Sequence, residues 1–200
     1  MRYALLLVAV CVAVFVLQQV FPAISENFIL VSSKAAARPW TLATAIFLHA
    51  DILHLGYNMI ALVMFGLVLE GIIGSRKFLV LFMASGIFAS FISLFFYEAA
   101  LGASGAIFGV IGTLAVLRPK MPVFAMGVPM PMFVAAGVWA LIDMAGTFAP
   151  SGVANIAHLA GLGLGIAIGF GMKQYRAQSS GRHKKPLNEK EIDEWESEWM

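Results

Sequence analysis

Cysteine is almost missing from this 200-residue chain. The single one, Cys11, sits in an apolar run and has no partner for an intrachain disulfide, so the redox compartment leaves no mark on the sequence. Charge is scarce too. Asp, Glu, Lys and Arg together make 12% of the residues against 60% apolar, above the roughly 45–50% of soluble domains. A mean hydropathy of +0.88 excludes a protein wetted on all sides and makes the bilayer the expected solvent. No separate soluble domain and no long internal repeat is visible, and a nucleic-acid partner is not expected.

What the chain has instead is six apolar stretches, roughly 3–21, 54–74, 78–97, 103–117, 130–148 and 154–172. A membrane span needs about 20 mostly apolar residues. The first stretch follows Arg2 and has the look of a signal sequence, but it is longer than an ordinary signal core and no small-residue cleavage site follows, so it is expected to stay as a span. Basic residues set the orientation. With the N-terminus inside, eleven of the thirteen Lys and Arg fall inside, and only Lys34 and Arg38 fall outside. The expected fold is an all-α integral membrane protein of six transmembrane helices, residues 1–173, with a polar cytoplasmic tail, residues 174–200. A short helix near Ile192–Trp199 and a headgroup-binding role for the tail's basic cluster are conceivable. The first outer connection, residues 22–53, is long and carries Trp40 among many apolar residues. It is expected to lie partly in the outer leaflet.

Polar groups within a membrane are costly and are functional candidates by default. One set is Gly102-Ala103-Ser104-Gly105, opening the fourth span. At ~1.5 Å per residue, Ser104 stands about 21 Å from the inner end of that helix, near Arg118. Another is Asn155-Ile156-Ala157-His158, opening the sixth. Counting back from Lys173 puts His158 at about 22 Å, nearly the same depth. Gly105 and Gly109 on one helix, and Gly161, Gly165 and Gly169 on the other, form small-residue stripes that let helices approach closely. A serine hydroxyl needs an adjacent base to become a nucleophile, and His158 is placed to be that base. Taken singly, Ser104 is more often a helix-bonded serine and His158 an interhelical hydrogen-bond partner.

The third set runs from His49 through His54 to Asn58. His54 and Asn58 are four residues apart, so on a helix they share a face. Both offer N–H donors for a developing oxyanion, as does the first-turn N–H of Ser104. Asn58 lies about 27 Å from Arg76 by helical rise, deeper than its fellows would ask, unless the helix tilts or Gly74 ends it early. A metal site built from the histidines and Asp51 is disfavoured: the His-x4-His spacing is not that of zinc peptidases, and no cysteine or glutamate joins it. Cofactors and metals are expected to be absent. Asp143 is expected to line a polar hollow or bond a neighbour, without a catalytic role, and Glu70 to hold helix packing.

Together these residues resemble the rhomboid intramembrane serine proteases, over about 120 residues from Trp40 to Gly165. The resemblance rests on Gly-x-Ser-Gly in the fourth span, Ala-His-x-x-Gly-x-x-x-Gly in the sixth, and His-x4-His-x3-Asn leading into the second. It implies the six-helix rhomboid arrangement and a catalytic dyad of Ser104 and His158 with no third carboxylate. It further implies an oxyanion hole from His54, Asn58 and the Ser104 N–H, a structural role for His49, Gly102 lining the catalytic turn, and Asn155 near the oxyanion site. Substrates would be transmembrane proteins, cleaved within the bilayer after entry between the second and fifth spans. Two departures stand out. Trp40 is followed by Thr41 where the family often has arginine, and Phe108 stands where tyrosine is common. A non-proteolytic, client-binding rhomboid-fold protein and a small transporter with a polar path through His54, Asn58 and His158 are the competing readings. The first is disfavoured because serine and histidine are both kept, the second because the polar groups cluster on one side.

Overall fold

The computed structural model describes residues 2–148 and 153–182, with side chains through 175. The compact unit Met1–Phe170 carries every site residue discussed below. Its long helices are α1 (Tyr3–Val20), α4 (Ile52–Ala61) running through a π-helical stretch at Leu62–Gly66 into α5 (Leu67–Ile73), α6 (Ser75–Ser93), α7 (Ser104–Leu117), α8 (Met132–Gly146) and α9 (Asn155–Arg182). Four of these stretches are long and apolar enough to cross a membrane, Tyr3–Val20, Ile52–Ile73, Ser75–Ser93 and Asn155–Tyr175; Ser104–Leu117 and Met132–Gly146 are shorter apolar helices. The chain is a helical integral membrane protein. Helix α9 continues past residue 173 to Arg182. The Ile192–Trp199 segment lies outside the described residues.

Specific residues set where the helices begin and end. The Glu70 carboxylate accepts the backbone N–H groups of Tyr3 at 2.8 Å and Ala4 at 3.0 Å. It satisfies first-turn donors of α1 that the helix cannot pair itself and places an anion at the positive end of the helix dipole. The packing role expected of Glu70 is thus a cap reaching across the bundle. Gly74, at φ +84, ends α5. From Ile73 back to Asn58 is then about 22 Å, which removes the depth mismatch.

The connection 22–53 is not one loop. It contains α2 (Pro22–Phe28), a two-residue strand β1 (Leu30–Val31) and the short α3 (Thr41–Thr44). Strand β1 pairs antiparallel with β2 (Ala99–Ala100), and Ser32 adds bonds to the carbonyls of Glu98 and Tyr97. The last carbonyls of α2 lack helical partners, and side chains from the connection supply them. Arg38 Nη1 donates to the Glu26 carbonyl at 3.0 Å, Trp40 Nε1 to Asn27 at 3.3 Å and Thr44 Oγ1 to Phe28 at 3.0 Å. Arg38 therefore ties down the segment that Thr41 cannot, while Thr41 bonds back to the Arg38 carbonyl. The connection between α7 and α8 is a hairpin, β3 (Pro122–Ala125) with β4 (Val128–Pro131). Its turn places Met126 and Gly127 at positive φ.

Helices α7 and α9 meet along the expected glycines, with a register only packing could decide. A methyl group at Gly161 would collide with the Gly105 carbonyl oxygen, and one at Gly165 with that of Gly109. Gly105 and Gly109 themselves turn toward Ala89 and Ser85 of α6. Thr113 Oγ1 closes the seam by donating toward the carbonyls of Gly109 at 3.0 Å and Gly165 at 2.9 Å.

Candidate active site

Ser104 is the first residue of α7, so its side chain stands at the helix mouth. The preceding turn depends on Gly102. Its φ of +117 is a conformation that residues with a Cβ rarely adopt. The space a Cβ would need is also taken by the His54 ring, at 2.8 Å from Cε1 and 2.9 Å from Nε2. Glycine is required there on both counts, and through it His54 is brought against the serine turn.

His158 lies in the first turn of α9, whose opening is fixed by the Ile156 N–H donating to Tyr97 Oη at 2.9 Å. Its Nε2 is 2.8 Å from Ser104 Oγ. The Phe108 ring, one turn below Ser104 on α7, stacks on the imidazole with centroids 4.5 Å apart and planes 9° from parallel. The glycine seam below holds α7 and α9 close enough for this contact.

The other imidazole nitrogen does not match the expectation of a pair without a carboxylate. Nδ1 of His158 is 3.0 Å from Asp143 Oδ1, with both side chains largely buried. Of the two fates expected of Asp143, lining a polar hollow or bonding a neighbour, the second is the one found. A signal was available: Met132, Ala136, Trp139 and Asp143 recur at spacings of four, three and four, one stripe of α8. Met132, Ala136 and Asp143 on it are buried. A carboxylate on an inward stripe needs a partner, but the spacing alone did not say which.

The remaining candidates divide. Asp51, exposed at the N-cap of α4, accepts the His54 N–H at 2.8 Å, a cap of the ordinary kind. Nδ1 of His54 receives the Ala50 N–H at 3.4 Å, which leaves the ring proton to Nε2, on the Gly102 side. Asn58 is buried, and its amide donates to the His54 carbonyl at 2.9 Å, keeping a second N–H for another acceptor. His49 is 1% exposed, with its ring edge-on to His54 at 5.2 Å. Burial, with His54 adding to it, pushes its imidazole down to about 4. Its backbone is clasped by Gln18 of α1, which both accepts from and donates to it. Asn155 is buried, with its amide beside Gly146 of α8. Its amide wedges the start of α9 against the end of α8.

That cavity has a volume of about 700 Å³ and is bordered by His54, Asn58, Ser104, Phe108, Trp139 and His158, among others. The fold and site together define a helical membrane protein with a serine–imidazole centre opening into a cavity within the bundle. A rhomboid domain model matches residues 36–175. The chain is 38% identical over 128 residues to the rhomboid protease GluP of Bacillus subtilis, covering 62% of this chain and 24% of that protein. It is 31% identical over 179 residues to the mitochondrial rhomboid protein 1 of Saccharomyces cerevisiae, covering 78% and 51%. With the rhomboid protease GlpG of Serratia proteamaculans it shares 28% over 177 residues, covering 86% and 63%. The chain thus spans between about a quarter and two thirds of the length of these relatives. It belongs to the rhomboid family.

Proposed function

We propose that the chain is an intramembrane serine endopeptidase that cleaves transmembrane protein substrates, with Ser104 as nucleophile and His158 as general base. The observation that carries this reading is the 2.8 Å contact of Ser104 Oγ with His158 Nε2, at the wall of a cavity large enough for a peptide segment. In the proposed cycle, Nε2 takes the Ser104 proton as Oγ attacks the scissile carbonyl carbon. The tetrahedral oxyanion is met by the N–H of Ser104, the Asn58 amide and the His54 Nε2–H; one such donor contributes on the order of 3 kcal/mol to the transition state. Collapse passes the proton from His158 to the leaving nitrogen and frees the amine product. Water then attacks the acyl-enzyme, gives its proton to His158, and releases the acid product as Ser104 is restored. His49 supports His54 from behind, and Gly102 holds the turn.

The substrate helix is proposed to enter laterally between α4 and α8, with the site opening to the outer face of a prokaryotic plasma membrane and both termini in the cytoplasm. The excess of basic residues on the inner connections supports that orientation. The test uses the full chain in detergent with a fluorescent transmembrane reporter. Ser104→Ala and His158→Ala are each expected to abolish cleavage, and the double variant to be hardly worse, because residues acting as a unit are strongly non-additive. A fluorophosphonate is expected to label Ser104 only while His158 is intact. Losses that multiply, or labelling at full rate in His158→Ala, would remove the histidine as base.

A further inference from the structure

We propose that Asp143 is a positioning residue for this site: its carboxylate holds His158 with the proton on Nδ1 and turns the Nε2 lone pair toward Ser104. The inference rests on the serine-protease reading above and extends it from two residues to three.

The geometry is that of a relay. Asp143 Oδ1 lies 3.0 Å from Nδ1 and Ser104 Oγ lies 2.8 Å from Nε2, at opposite ends of one imidazole. A neutral imidazole carries one proton, and the hydrogen bond made by one nitrogen decides the state of the other. A carboxylate at Nδ1 can only accept, so the proton belongs there and Nε2 is left bare. Bare Nε2 is the form that can take the Ser104 proton; the other tautomer would present N–H to the hydroxyl and be idle as a base. Phe108 fixes the plane of the ring, but a stacked face does not distinguish its two nitrogens. Asp143 does.

The burial of Asp143 argues the same way. The residue is 5% exposed, and its second oxygen, Oδ2, finds no donor among the described residues. A carboxylate so placed is costly unless paired, and α8 offers no cation for it: Asp143 is its only charged residue. The partner it does have is the ring that gains positive charge when it takes the Ser104 proton. The carboxylate thus lies against charge that develops during the reaction and withdraws when the proton moves on to the leaving amine. Its place on the inward stripe of α8, with its α-helical neighbours Trp139 and Ala136, aims it at α9.

The experiment compares Asp143→Asn with the parent chain in one detergent, reading reporter cleavage, the rate of fluorophosphonate labelling at Ser104, and thermal stability. The substitution keeps the shape but lets the amide donate to Nδ1. The expected result is KM within about twofold, with kcat and the labelling rate both down at least about tenfold, since a wrong tautomer removes the base itself. Cleavage and labelling within twofold of the parent would overturn the proposal while leaving the Ser104–His158 reading intact. A loss confined to KM would overturn it too, making Asp143 part of the cavity wall. A second measurement does not depend on the variant folding. In parent protein carrying 15N-labelled histidine, with His158 assigned by its loss in His158→Gln, Nδ1 is expected to be the protonated nitrogen and Nε2 the bare one; the reverse assignment refutes the proposal. Cleavage that survives in Ser104→Ala would instead defeat the protease reading on which all this stands.

Discussion

The seam between α7 and α9 and the side where α8 faces α4 are built on opposite principles. Along the seam, glycines bring backbones into direct contact, Gly161 against the Gly105 carbonyl and Gly165 against that of Gly109, and Thr113 ties the two helices with hydrogen bonds. In a bilayer no hydrophobic force drives helices together, so close packing and such bonds must. On the other side a cavity separates the helices, lined by His54, Tyr57 and Asn58 of α4 and by Trp139 of α8. One aromatic pair, Phe65 with Trp139, edge to face at 5.7 Å, spans from the π-helical stretch to α8. A rigid seam holds the nucleophile to its base; a sparse side leaves room for a substrate to come in. Asp143 joins the two, since it belongs to the loosely held helix but bonds the histidine of the rigid one.

The comparison breaks most visibly at its tightest point. Gly161→Ala would push a methyl into a backbone oxygen, and neither backbone can yield without parting α7 from α9. The expected outcome is a loss above ~3 kcal/mol, at or beyond the upper end of ordinary overpacking, read as failure to recover a monodisperse protein or a steep fall in melting temperature. Gly137→Ala, the same change where a methyl group meets nothing, is expected to be neutral or slightly stabilising, because it only removes glycine's helix penalty of ~0.5–1 kcal/mol. Equal effects at the two sites would abolish the distinction between seam and open side.

The next effect concerns how the seam serves chemistry. Phe108→Tyr keeps the stacked face and is expected to retain most activity. Phe108→Ala frees the imidazole to tilt and is expected to lower kcat by about ten- to a hundredfold, the scale of a small misplacement of a catalytic group. Thermal stability in the same detergent separates this from unfolding. An Ala variant with full turnover would show that the seam and Asp143 suffice to hold the ring.

The smallest effect is expected on the open side, and with the opposite sign. Trp139→Ala removes an aromatic contact of about 0.5–1.5 kcal/mol and should lower the melting temperature modestly. If substrates enter between α4 and α8, cleavage of the transmembrane reporter should rise severalfold while fluorophosphonate labelling, which needs no helix to enter, stays near the parent rate. A parallel fall in both would place Trp139 in the site's framework and move the entry elsewhere.

Depth is what the sequence by itself determined. Counting helical rise from charged ends sets Ser104 and His158 at one level, and composition marked six apolar stretches, four at helices long enough to cross a membrane and two at shorter apolar helices. Depth is a one-dimensional quantity, and a chain records it directly. Rotation about each helix axis and the identity of the neighbour are not recorded so, and the tertiary structure decided them: that Asp143 meets His158, that Asn155 lies against Gly146, and that α9's glycines seat on α7's carbonyls. It also decided the connection 22–53, where Arg38, Trp40 and Thr44 bond successive carbonyls of a helix that hydropathy could not separate from a loop. Each of these is a contact between different elements of the fold. Such contacts are chosen by which surfaces pack without leaving a buried polar group unpaired, a condition that exists only once the helices are side by side.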